Sequence, residues 1–276
     1  MTTPALGGAH ALRRELRTLH AVIHRDLLRM AVRPWNTVMM LLHPLVFLFA
    51  FGAGLGSLIS PSATGTHYST YLFPGILVMA VQAPALAVGI RLITDRASGL
   101  LREILMTPAR RGTLLAGLCA GGTAVATCQG ILLLALAGTV HLPYSLLFLV
   151  GTLGVLALTA FTLTALTAAL AVTMTDVETF HTVLGLVMLP LLFTSGAFFP
   201  LSRMPEPLTT LAAANPLAYS VDLLHHVINT HTSPGLVAPG VRWAGWTPPP
   251  AAKTALLALT GAAALGLATH RFSRPQ

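Results

Sequence analysis

The stretch SLLFLVGTLGVLALTAFTLTALTAALAVT, residues 145–173, contains no charged side chain. A helix needs about 20 apolar residues to cross a hydrocarbon core roughly 30 Å thick. In hydrocarbon every backbone amide must be satisfied within the segment, so this run reads as a transmembrane α-helix. Five further runs of the same kind surround it, at 36–58, 71–93, 113–140, 179–199 and 251–269. The runs 113–140 and 145–173 exceed the length a bilayer requires, which predicts tilt or protrusion, and Pro143 lies in the turn between them.

Composition agrees with that reading. Of the 276 residues, 54% are hydrophobic and only 9% charged, and the mean hydropathy is +0.76. Soluble domains carry roughly 25% charged residues, so most of this surface must face lipid. The net charge of +8 could point to nucleic acid. Yet eleven of the sixteen Lys and Arg residues lie before residue 112, in two clusters without interleaved aromatics. Flanks of membrane spans explain that placement better than nucleic-acid binding does. Cys119 and Cys128 sit nine residues apart in one apolar run. On a helix that is about 13 Å of rise, too far for a disulfide. The first apolar run begins after residue 34 and is too long for the core of a signal peptide.

Upstream of the first run, Leu12, Leu16, Leu19, Ile23, Leu27 and Met30 recur every three or four residues. Arg13, Arg14, Arg17, His20, His24 and Arg25 lie away from that stripe. A basic amphipathic helix of this kind lies in the membrane interface. Pro34 and Trp35 then mark the boundary with the first span. Six basic residues fall before residue 34, five over 91–111, and Arg271 and Arg274 in the tail, while 59–70 and 141–144 carry none. Alternation therefore predicts a cytoplasmic N-terminus, 94–112 loop, 174–178 turn and C-terminus. Thr175 and Glu178 fit a capping box for the fifth span. The connection 200–250, rich in proline, is expected outside, with the moderately apolar 208–230 as helices dipping into the outer leaflet.

The fold class is thus all-α integral membrane: six spans, an N-terminal interfacial amphipathic helix over 8–33, a cytoplasmic coupling helix between spans 2 and 3, and re-entrant external helices between spans 5 and 6. One domain is expected over 1–276, with spans 1–5 in 36–199, the external segment in 200–250 and span 6 in 251–270.

Catalytic signatures are missing from this sequence. The only lysine, Lys253, follows no glycine-rich phosphate loop, and neither a Gly-x-Ser-x-Gly elbow nor a His-Glu-x-x-His motif occurs. His20 with His24, and His225-His226 with His231, lack acidic or thiol partners at ligand spacing. A polar helix face is the better reading of both, and no metal site is expected. Within the 94–112 loop, Leu100, Leu101, Ile104 and Leu105 share one helical face, leaving Arg96, Arg102 and Glu103 for water or a partner until Pro108 stops the helix. Such a helix, lying flat between two spans, either transmits force from a cytosolic partner or is a solvated connector carrying positive-inside charge. His43 and Gln82 are polar groups within spans, to be read either as hydrogen-bond partners of a neighbouring helix or as candidate pathway residues. Pro44, Pro84 and Pro190 interrupt span hydrogen bonding. Gly117 and Gly121 have the small-xxx-small spacing of close helix contact.

Two motifs carry a resemblance. The first runs from Tyr71-Leu72-Phe73-Pro74-Gly75-Ile76-Leu77 through Asp95-Arg96-x-x-Gly99 to Thr107-Pro108-x-Arg110. The second comprises Thr194-Ser195-Gly196-Ala197-Phe198-Phe199-Pro200-Leu201, Met204-Pro205 and Asn215-Pro216-Leu217-Ala218-Tyr219. In this order they resemble ABC type-2 exporter permeases, nearest to the daunorubicin-resistance and nodulation-factor export permeases, over about 9–270. The sequence departs from that pattern at His225, where arginine is expected.

The resemblance implies a permease without its own nucleotide site. ATP and magnesium are expected on a separate ABC ATPase subunit, and the chain itself is expected to hold no cofactor. A second permease chain, forming a homodimer, and membrane lipid are the other implied partners. The resemblance places coupling to the ATPase at Asp95, Arg96, Gly99, Leu101, Arg102, Glu103 and Pro108, and the external motif at Ser195, Gly196, Pro200, Asn215 and Pro216. It implies export of an amphiphilic drug, antibiotic, lipid or glycan from a bacterial plasma membrane. An ion-coupled secondary transporter would require intramembrane carboxylates. A membrane-embedded enzyme would require clustered nucleophile, base or metal ligands.

Overall fold

The computed structural model describes residues 7–54, 56, 67–99, 111–140, 142, 144–231, 240–243 and 246–273. Within them the chain is helical: α1 Gly7–Val32, α2 Pro34–Gly54, α3 Tyr68–Ala97, α4 Arg111–Leu134, α5 Leu146–Thr173, α6 Val177–Phe193, α7 Glu206–Ala214, α8 Pro216–His231 and α9 Pro250–Ser273. Short 3-10 turns occupy Ala137–Val140 and Leu201–Arg203. Two antiparallel residues, Trp243 and Trp246, make an isolated bridge. An all-α membrane fold is therefore what the apolar runs build. Five helices among the described residues, α2, α3, α4, α5 and α9, are long and apolar enough to cross a membrane. The fifth expected span, α6, is shorter, at 17 residues, a length at the lower limit for crossing.

The long apolar helix α5 packs against α3, α4, α8 and α9. Its threonines bridge helices where apolar contact alone would leave gaps. Thr167 Oγ1 donates to Ala85 O on α3 at 2.9 Å, and Thr162 Oγ1 to Leu257 O on α9 at 3.1 Å. Inside lipid, neighbouring helices are held by packing and such hydrogen bonds rather than by a hydrophobic drive. Tyr71, Phe73, Phe148 and Phe198 are fully buried in this core. By contrast α2 turns Trp35, Val38, Leu42, Val46 and Phe49 outward. Pro44, Pro84 and Pro190 lie inside α2, α3 and α6 as the sequence indicates.

Contacts define two faces of the bundle. At one, the end of α3 meets the end of α5 through Arg96, and Gly112 approaches Thr269 near the end of α9. At the other, Tyr68 and Thr70 at the start of α3 donate to Phe198 O and Val140 O, at 3.0 and 2.9 Å.

Several local expectations need correction. The cap that opens α6 is Asp176, whose carboxylate accepts from Thr179 N at 2.7 Å, in place of a Thr175–Glu178 box. A carboxylate one residue later reaches the free amides of the first turn directly. Asp95 and Arg96 belong to the last turns of α3, which continues to Ala97. Gly99, at φ 75°, then takes the left-handed position that ends a helix. Among the side chains described on α1, Val22 and Asp26 are buried and Leu19, Ile23, Leu27 and Met30 of the apolar stripe are half-buried, while the side chains of Leu12 and Leu16 lie outside that description.

Candidate functional site

The inner wall of the site begins with α1 on α4. Glycine at 117 and 121 gives the close approach that their spacing predicts. A Cβ at Gly117 would meet Leu19 and Val22 at an ordinary 3.6 Å, whereas one at Gly121 would meet Asp26 Oδ2 at 2.6 Å. The bare backbone at Gly121 therefore makes room for a carboxylate. Asp26 is 2% exposed and takes Arg91 Nη1 of α3 on Oδ2 at 2.7 Å and Arg25 Nε on Oδ1 at 3.3 Å. A buried carboxylate must be paired to remain charged, and here the pairing joins the amphipathic helix to a spanning helix.

Beside this pair lies a cavity of 420 Å³ bounded by α1, α2, α3 and α4, with Arg29, Arg33, Arg91, Met40 and Gln129 in its lining. Gln129 is 1% exposed. Its Nε2 meets Met40 Sδ at 3.4 Å, and its Oε1 accepts no hydrogen bond among the described residues. Gln82, one of the two candidate pathway residues, is half-buried on α3 and does not line this cavity. His43 is exposed on α2, its ring tilted against Phe47 at 4.9 Å.

Where α3 ends, Arg96 Nη1 donates to Val172 O at 3.3 Å and Met174 O at 3.4 Å. These are carbonyls at the end of α5, left free by the helix terminus and attractive to a cation. Asp95 is half-buried one residue earlier. Leu101, Arg102, Glu103 and Pro108, with the amphipathic stripe around them, lie outside the described residues.

At the opposite face the two motifs meet. Tyr71 Oη donates to Gly196 O at 2.7 Å, with Gly196 at φ 80°. A Cβ on Gly75 would lie 2.5 Å from that of Ala197. Ser195 Oγ donates to Leu192 O at 2.6 Å and accepts from Ala197 N at 3.3 Å. Asn215 Nδ2 donates to Leu191 O and, at 3.1 Å, to Thr194 Oγ1, while Asn215 Oδ1 accepts from Leu217 N at 2.9 Å. Pro216 opens α8 and Pro200 precedes the 3-10 turn. These residues form a structural clasp that fixes the end of α6 to α3 and α8.

His225 corrects another expectation. It is buried, 4.8 Å from the stacked Tyr71 ring, with Nε2 3.0 Å from Tyr71 O, rather than on a polar outer face. His226 is exposed, and His231 Nδ1 lies 2.8 Å from Val227 O. No group of three potential ligands gathers around a common point among the described residues. The neighbouring Asp222 pairs with Lys253 of α9 at 2.7 Å and accepts from Val241 N at 3.0 Å. Sequence reasoning missed this pair, although a lone lysine at the start of an apolar run requires a counter-charge.

Comparison with known proteins gives a consistent picture. Residues 17–229 match the model of the family described as ABC-2 type transporter. Nodulation protein J of Rhizobium leguminosarum bv. viciae is 29% identical, covering 66% of this chain and 70% of that protein. Its counterpart in Rhizobium leguminosarum bv. trifolii is 30% identical over 69% of this chain and 73% of that protein. The inner membrane transport permease YadH of Escherichia coli K12 is 28% identical over 64% of this chain and 68% of that protein.

Proposed function

The chain belongs to the ABC-2 type transporter family, and from that premise we propose that it is the permease of an ATP-driven exporter, working in pairs with a separate ATPase. It is a multi-pass transmembrane transporter subunit. In this reading 1–276 forms one transmembrane domain in a bacterial plasma membrane, with both termini cytoplasmic. The cargo is amphiphilic, a drug, antibiotic, lipid or glycan released outside by alternating access.

The observation that carries the coupling assignment is the attachment of Arg96 to Val172 O and Met174 O. In the sequence, residues 100–110 follow this attachment and the end of α3. A push on that segment is therefore delivered to α3 and to the α5–α6 junction together. ATP changes a conformational equilibrium only where the two states differ in their contacts with its carrier. In this reading the segment containing Leu101, Arg102, Glu103 and Pro108 is that contact. The outward apolar side chains of α2 are available to lipid or to a second copy of the chain. The two buried carboxylates seen, Asp26 and Asp222, are each ion-paired, which weighs against ion-coupled transport.

The test is purification of the tagged chain in mild detergent, with identification of what accompanies it. An ATPase near equal stoichiometry, lost together with ATP-driven export in a Glu103→Arg chain that still inserts, is expected. Unchanged export in that variant removes the coupling assignment, and absence of an ATPase in every mild condition removes the exporter reading.

A further inference from the structure

The cavity between α1, α2, α3 and α4 has a chemistry that force transmission does not use. Its 420 Å³ falls in the range of ligand sites, roughly 300–1,000 Å³. The carboxylate of Asp26 is already taken by Arg25 and Arg91. Arg29 and Arg33 also line the cavity, and neither is paired with a carboxylate among the described residues. The lining is therefore cationic overall. At its buried end Gln129 Oε1 lacks a donor, and the other end of the amide meets only a thioether, a weak acceptor. Buried polar atoms are seldom left unpaired in native proteins, so this position fits a ligand that donates a hydrogen bond.

We propose that this cavity binds a phosphate-bearing, hydroxylated headgroup. The phosphate lies against Arg29 and Arg33, whose planar forks match its oxygens, and a hydroxyl on the same headgroup donates to Gln129 Oε1. A cation is repelled by the arginines, and a purely apolar ligand leaves Gln129 unpaired. Membrane lipid is the favoured source because exposed Val32 and Trp35 flank the site at the α1–α2 junction, and tryptophan favours the headgroup level. The proposal stands apart from the transport reading, since it is tested by retained ligand rather than by export.

The full chain is purified in mild detergent and exposed to phosphatidylglycerol, phosphatidylethanol or phosphatidylcholine with matched acyl chains, and separately to glycerol phosphate. Native mass spectrometry measures what remains bound. Phosphatidylethanol has the same single charge as phosphatidylglycerol without its hydroxyls. Phosphatidylglycerol is expected to be retained about five-fold better than phosphatidylethanol, the effect of one hydrogen bond, and both better than phosphatidylcholine. Gln129→Leu and Gln129→Met, close in size to glutamine, should erase the first preference and keep the second. Arg29→Gln combined with Arg33→Gln should erase the second. Glycerol phosphate binding with the same dependence on both sets of residues assigns the same chemistry to a soluble organophosphate. Equal retention of the three lipids without glycerol phosphate binding overturns the proposal, as does a preference that ignores both sets of substitutions.

Discussion

Asp26 Oδ2 lies 2.7 Å from Arg91 Nη1, so an ion pair fastens the amphipathic helix α1 to the spanning helix α3. Removing one member of a fully buried pair costs roughly 3–5 kcal/mol because the other is left uncompensated. Asp26 is 1% exposed in its side chain but Arg91 is 25% exposed, so water relieves part of that cost. Arg91→Met is expected to lower stability by about 2 kcal/mol, seen as earlier thermal unfolding in detergent. The exchange of both residues, Asp26→Arg with Arg91→Asp, should recover part of the loss. If the double variant is no better than the sum of the single ones, the pair is not what holds the helix.

Gly121 and Gly117 should differ sharply although they share one face of α4. Gly121→Ala brings a methyl within 2.6 Å of Asp26 Oδ2, whereas Gly117→Ala meets Leu19 and Val22 at 3.6 Å. Overpacking costs typically 1–3 kcal/mol, so Gly121→Ala is expected to lose stability on that order and to loosen α1. Gly117→Ala should be close to neutral. Protease sensitivity of α1 in detergent distinguishes them, and equal behaviour would show that α1 does not pack on α4 through these glycines.

The clasp at the opposite face should depend more on Asn215 than on Tyr71. Tyr71→Phe removes one hydrogen bond to Gly196 O. Asn215→Leu removes three contacts, to Leu191 O, Thr194 Oγ1 and Leu217 N. With about 1 kcal/mol per bond, the expected losses are roughly 1 and 3 kcal/mol, read as shifts of thermal unfolding. A larger effect from Tyr71→Phe would contradict the geometry.

What the sequence made legible was decided by scale. Long charge-free runs identify spans because hydrocarbon admits little else. Gly117 and Gly121 also signalled a close helix contact through their spacing, yet neither its partner α1 nor the carboxylate of Asp26 that fills it. An aspartate among six nearby arginines and histidines reads as one more polar residue of a solvated helix. Only the bundle shows that it points inward. His225 departs from its expected polar face for the same reason: it is adjacent to His226 in sequence, but two successive residues of a helix point about 100° apart. The Tyr71–Gly196 contact joins residues separated by 125 positions. The two motifs were visible separately, but nothing in either specifies that they touch.

The turn that opens α6 should respond to acid. Hydrogen bonds from the Thr179 amide and hydroxyl hold the Asp176 carboxyl below the usual carboxylate range. With the folded value depressed, the cap's contribution is fully present above the ordinary carboxylate range, about pH 4. It is lost as pH falls through the lower folded value. Hydrogen exchange at the Thr179 amide should therefore accelerate, relative to its intrinsic rate, only in strong acid. Asp176→Asn keeps an acceptor at the cap but cannot titrate, so its protection should be independent of pH over that window. Persistence of the acid response in Asp176→Asn would place its origin elsewhere.

If the proposed exporter reading holds, the attachment of Arg96 predicts a separation of ATP hydrolysis from export. Arg96 reaches Val172 O and Met174 O with one guanidinium nitrogen, at 3.3 and 3.4 Å. These are long bonds, each of modest strength, so Arg96→Gln should leave insertion intact and lower stability by no more than about 1 kcal/mol. Its effect on function should be larger. In the proposed exporter, where force enters through the 100–110 segment, loss of this attachment uncouples that segment from the end of α5, so ATP hydrolysis by the partner should continue while export falls several-fold. Lysine keeps the charge but not the planar fork, so Arg96→Lys should restore export in part. Hydrolysis and export are measured together in vesicles containing the permease and its ATPase. A parallel fall in both would mean that Arg96 supports assembly instead, and no fall in either would mean that force reaches the spans by another route.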